Sequence, residues 1–185
     1  MKNLLVLVAA MGLVAANVQS QEAELPGSPP AWFLDEIATL TSGSGRWLAD
    51  NSQYRNENEP YEAYATEWKS AFDGMSISGR LFGIIDGKEV AEFWQFRQYW
   101  HPGEKKAVVE QFGWGGTVGI GSAWRDGDET RSDQSFFGIN GSVNRTGHVS
   151  SFPDSDTHVT ASFNIVGGEW QPQRVYTWRR DANPE

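Results

Sequence analysis

The sequence predicts an all-β fold, an antiparallel up-and-down β-barrel of about ten strands behind a short N-terminal helix. Three observations predict it. Apolar and polar residues alternate with a period of two through most of the chain after Arg46. Turn pairs such as Asp86-Gly87, Asn140-Gly141 and Gly167-Gly168 separate the alternating runs, as primed hairpin turns require. Aromatic residues, which favour strands, are abundant: ten Phe, nine Trp and five Tyr. A two-sheet sandwich is the alternative architecture.

Residues 1–20 read as a secretory signal peptide, with Lys2, an apolar stretch from Leu4 and small residues at Val18 and Ser20. That stretch is shorter than the roughly 20 residues of a membrane span. The protein is therefore expected to be exported, periplasmic or extracellular, without membrane insertion. Residues 21–30 hold three Pro and a Gly and read as a flexible leader. Residues 31–185 form the single expected domain. Ala31 to Leu40 is the one helix, with Phe33, Leu34, Ile37 and Leu40 on one stripe after Pro30.

The strand runs are Arg46–Tyr54, Glu62–Phe72, Met75–Ile85, Glu89–Trp100 and Lys106–Phe112, then Thr117–Arg125, Thr130–Ile139, Thr146–Phe152, Thr157–Val166 and Trp170–Arg180. Glu62–Phe72 also fits helical spacing through Tyr61, Tyr64, Trp68 and Ala71, so it is strand or helix. Without Cys there are no disulfides, thiol nucleophiles or thiolate metal sites. The formal charge of −9 becomes more negative once the one-lysine leader is removed. Such an acidic balance argues against nucleic acid as a partner.

Hairpin register assigns faces, because cross-strand partners share one. Counting from Gly167-Gly168 places Phe163, Ile165, Arg174, Tyr176, Trp178 and Arg180 inside, with His158, Thr160 and Ser162 outside. Counting across residues 101–104 pairs Trp94 with Gln111 and Phe96 with Val109, and puts Gln98, Leu81 and Glu92 on the same inner face. Arg80, Gln95, Phe82 and Phe93 fall on the outer one.

A short helix, then Gly45-Arg46-Trp47 opening the first strand, then Arg179-Arg180 closing the last, resembles the calycin superfamily, which includes the lipocalins. The likeness extends from about Gly45 to Arg125 and is nearest to uncharacterised bacterial exported proteins with lipocalin-like barrels. It rests there on Ser78-Gly79-Arg80-Leu81-Phe82-Gly83, Glu92-Phe93-Trp94, Tyr99-Trp100-His101-Pro102-Gly103 and Gln111-Phe112-Gly113. The resemblance implies a barrel whose Trp47 is covered by Arg180, a structural lock at one end. The opposite rim is expected to carry the Asp86-Gly87, Asp126-Gly127 and Gly167-Gly168 turns or their counterparts.

Function is expected inside the barrel. Glu92, Trp94, Phe96, Gln98, Gln111, Phe163, Arg174 and Tyr176 are the expected ligand-binding residues. They suit a small hydrophobic or carboxylate ligand, with Arg174 receiving the carboxylate or pairing with Glu92. The alternatives are an isomerase or lyase using Glu92 as acid/base, and an interaction module using the outer aromatics Phe82, Phe93 and Tyr99. His101, His148 and His158 show no metal-ligand spacing and read as surface residues. No metal and no cofactor is expected. The glycines of Gly113–Gly121 are expected to serve curvature or close strand contact.

Overall fold

The computed structural model describes residues 25–181, so the expected signal peptide lies outside the described residues. Helix α1 spans Ala31–Thr41. The strands are β1 (Arg46–Asp50), β2 (Ala63–Ala71), β3 (Ser76–Ile85), β4 (Lys88–His101) and β5 (Lys106–Gly113). They continue as β6 (Val118–Asp126), β7 (Glu129–Phe137), β8 (Val143–Asp154), β9 (Thr157–Val166) and β10 (Glu169–Arg180). All ten form one closed antiparallel barrel, each strand beside its sequence neighbours and β1 paired with β10. Closure leaves no open sheet edge. The segment that fitted either period is strand β2: tertiary pairing with β1 and β3 overrides its helical spacing.

The turns form as their residues dictate. Asp86 and Gly87 both take positive φ, 50° and 70°, which matches the twist of the flanking strands. Gly45 is needed for two reasons. Its φ is 68°, and a Cβ there would lie 2.3 Å from the Trp68 carbonyl oxygen. Its own carbonyl accepts the Trp68 N–H at 2.9 Å, which starts the β1–β2 ladder.

One end of the barrel is capped. The apolar stripe of α1 buries Phe33, Ile37 and Leu40 against Trp47, Trp68 and Trp178. Trp47 is fully buried, and its indole N–H donates to the Leu40 carbonyl at 3.0 Å. Arg180 pairs with Trp47 across β1 and β10, and its guanidinium sits 4.3 Å from the indole centroid. It also donates to the carbonyls of Ser42 (2.6 Å), Thr39 (3.2 Å) and Ser155 (2.6 Å), and pairs with Asp156 at 3.0 Å. The carbonyls at a helix C-terminus have no partner within the helix, so one arginine ties cap, first strand and last strand together.

Alternate hairpins point to alternate ends. The β6–β7 turn at Asp126-Gly127 therefore lies at the capped end, not at the opposite rim with Asp86-Gly87 and Gly167-Gly168. At that open rim the 51–62 loop folds over the mouth.

Two β-bulges change which side chains face inward. In β4, Leu81 pairs with Trp94 but Phe82 pairs with Glu92, which leaves Phe93 as the extra residue. Phe93 packs on Tyr61 and Tyr64 at 5.0 and 5.8 Å, and Glu92 moves to the outer surface. In β10, Pro172 pairs with Phe163 but Val175 pairs with Ala161. Beyond that bulge Tyr176 pairs with Thr160 and Trp178 with His158, so the inward set of β9 is His158, Thr160 and Ser162. Phe163, expected inside, alternates with Ser162 and faces outward, its ring 5.4 Å from Trp170.

Candidate ligand-binding cavity

The interior below the open rim is a cavity of about 290 Å³. That is the liquid volume of roughly ten water molecules. Its walls differ in chemistry. One side is aromatic and apolar: Trp68, Trp94, Phe96 and Val109, with Trp178 from β10. Trp68 stacks on Phe96 at 5.2 Å. The other side is polar: Gln134, His148, Ser150, Thr160 and Ser162 from β7, β8 and β9, while Gln111 on β5 stands beside Phe96 at the edge of the aromatic side. Inward-facing Gly119 and Gly121 on β6 pair with Gln111 and Gln134 and add no side chain. A Cβ on Gly119 would meet the Phe136 ring at 2.5 Å, and one on Gly121 the Asp133 carbonyl at 1.9 Å. The glycine run thus gives close strand contact, and the Phe136 ring covers the inner face at Gly119.

Three side chains that line the cavity each carry a buried polar atom with no hydrogen-bond partner in the protein: Gln111 Oε1, Gln134 Nε2 and His158 Nε2. Their residues are 9%, 2% and 9% exposed. Burial without a partner costs about 1–3 kcal/mol per group, so three such groups on one cavity make a coherent feature. His158 stands near the cap, stacked on Phe152 at 4.4 Å and edge-on to Trp47 at 5.9 Å. Desolvation lowers its pKa to about 3 and that of His148 to about 4, so both imidazoles are uncharged at neutral pH. Neither is a surface residue, contrary to expectation.

Glu36 forms part of the cavity floor. It falls on the buried stripe of α1, accepts the Thr130 hydroxyl, and is held above the usual carboxylate range by desolvation. The signal was an acid placed between Phe33 and Ile37 on an apolar face. Gln134 follows from carrying the Asp126-Gly127 hairpin register back to β7, and His158 from treating Pro172 as a bulge marker.

At the mouth, Arg174 donates to both Glu59 carboxylate oxygens, at 2.6 and 2.8 Å. The Tyr54 ring lies 4.8 Å from the guanidinium. Tyr64 donates to Glu59 at 2.7 Å, and Tyr176 donates to Asn51 at 2.9 Å. The arginine holds Glu59 below the usual carboxylate range. This cluster fastens the 51–62 loop over the cavity.

Of the residues expected at the site, Trp94, Phe96, Gln98, Gln111, Arg174 and Tyr176 line one cavity. Phe163 and Glu92 do not. Glu92 is exposed, accepts the Gln95 amide at 2.7 Å and lies 3.6 Å from Arg80. It has no place as the acid/base of a cavity, and the partner of Arg174 is Glu59 instead. Phe82, Phe93 and Tyr99 also do not form an outer patch. Phe82 is fully buried beneath Arg46 and Arg80, Phe93 turns inward, and Tyr99 bonds to Glu110 at 3.2 Å. Among the described residues no cluster of three or more acidic or imidazole groups is placed to hold a metal ion, and no helix is long and apolar enough to cross a membrane.

The closed ten-strand antiparallel barrel is compatible with a calycin-like fold. No family model matches the chain, and no curated protein matches it.

Proposed function

We propose that this chain is an exported calycin-like barrel that binds a small molecule in its interior. The observation that carries the reading is the cavity of about 290 Å³ with three unpartnered, deeply buried polar atoms on its walls. A barrel selected only for stability fills its interior with side chains. Here the mouth end is spanned by an irregular loop, and space remains among the aromatic and polar side chains below it. Amphipathic walls suit a ligand with one apolar face and one polar edge. Export rests on the leader-like sequence of residues 1–20.

Native mass spectrometry of protein purified from its own host tests this reading. The expected spectrum shows a fraction with a discrete added mass of a few hundred daltons or less, released on denaturation. Only the bare polypeptide mass, at every gentle ionisation setting, counts against it.

A further inference from the structure

We propose that the cavity recognises an uncharged molecule bearing both a hydrogen-bond donor and an acceptor, of the carboxamide or lactam class, with a flat apolar body. This rests on the binding reading above and sharpens it.

Two glutamines set the polar requirement. Gln111 on β5 and Gln134 on β7 line the cavity on either side of β6, whose paired inner positions Gly119 and Gly121 carry no side chain. Each is at least nine-tenths buried. Gln111 Oε1 lacks a donor and Gln134 Nε2 lacks an acceptor. A primary amide presents one acceptor and two donors, so its complement also carries both kinds of group. Exchanging O and N in both side chains leaves that requirement in place. A hydrocarbon displacing cavity water would leave both amides dry and unpaired.

Among the described residues the cavity walls carry no free cation. Arg174 is engaged bidentately by Glu59, a carboxylate supplied by the protein's own loop. The imidazoles of His148 and His158 stay neutral in their desolvated positions. Glu36 adds an acid at the floor, which opposes an anion further. A ligand carboxylate would have to displace Glu59 or enter without a counter-charge, and burying an unpaired charge is costly.

Trp68, Trp94, Phe96 and Trp178 offer ring surfaces in the same cavity, with Phe96 directly beside Gln111. A flat body stacks there while its polar edge meets the amides.

The test is a titration at neutral pH with three probes of similar size, benzamide, benzoate and ethylbenzene, followed by saturation-transfer NMR. Benzamide is expected to bind about tenfold or more tighter than either of the others. Gln111→Met and Gln134→Met are each expected to weaken benzamide about fivefold or more while leaving ethylbenzene unchanged or tighter. Thermal melts of the variants check folding, and the selectivity order of the unsubstituted protein decides on its own if a variant does not fold. Benzoate binding tightest, with loss in Arg174→Met, overturns the neutral class and makes the mouth a carboxylate site. Ethylbenzene binding tightest also overturns it, while binding as such stands. No binding of any probe, together with a bare mass from the host, defeats the binding reading itself.

Discussion

His158 lies stacked on Phe152 with a ring nitrogen that no protein group meets. A buried imidazole without a partner resists protonation, as does that of His148. This fixes the sign of a pH effect. Unfolded histidine titrates near its ordinary value of 6.5, and in the folded chain that of His148 falls to about 4 and that of His158 to about 3. Between 6.5 and 4 the unfolded state therefore binds protons that the folded state does not. Stability from these groups is complete above 6.5 and is lost as the pH falls through that window. Glu36 acts oppositely, because its raised pKa loses stability as the pH rises above 4.5. The histidine contribution is isolated by comparing the unsubstituted protein with His148→Gln/His158→Phe. We expect the variant's melting temperature to fall less between pH 6.5 and 4.5. Equal slopes would contradict desolvated histidines. His158→Phe alone keeps the ring stack and removes the unpaired nitrogen, so it is expected to melt at or above the original temperature, checked by calorimetry.

At the scale of elements, the helix cap and the first and last strands form one unit. Trp47, Gly45 and Arg180 hold it, and each does so by a different means. Trp47→Ala opens a cavity in the capped core and should cost about 3–5 kcal/mol. Gly45→Ala forces a side chain into left-handed backbone and against the Trp68 carbonyl, costing at least about 1–3 kcal/mol. Urea unfolding reads both, and a Gly45→Ala midpoint equal to the original would show that the Gly-x-Trp turn is not structural. The ten strands, the helix and the order of hairpins were legible because period-two patterning and primed turns are local signals. The bulges were not, since a bulge shifts register by one and exchanges the two faces of all that follows. Yet each left a mark. Phe93 and Trp94 are adjacent aromatics that break alternation, and Pro172 cannot donate to a ladder. Reading through them placed Glu92 and Phe163 inside and His158 outside.

At the scale of the molecule, the barrel is closed below and fastened above. The cap rests on packing, with arginine hydrogen bonds to carbonyls. The 51–62 loop over the mouth rests on a polar cluster around Arg174 and Glu59. Ligand entry is therefore expected on the mouth side. Arg174→Met is predicted to raise amide-hydrogen exchange in residues 51–62 while leaving β1 and α1 protected, and unchanged exchange there would show that the ion pair does not hold the loop. The site residues from β4, β5 and β10 could be found by counting from turns. The polar wall of β7, β8 and β9 could not be found that way without knowing where the β10 bulge falls.

On the binding reading, the interior is an open space whose lining side chains carry unpartnered amide and imidazole atoms. A crystal structure at high resolution tests it most directly. The account predicts discrete density, from ordered water or a bound molecule, about 2.7–3.2 Å from Gln111 Oε1, Gln134 Nε2 and His158 Nε2. An interior filled by side chains, with those three atoms bonded to other protein groups and no density beside them, would contradict it.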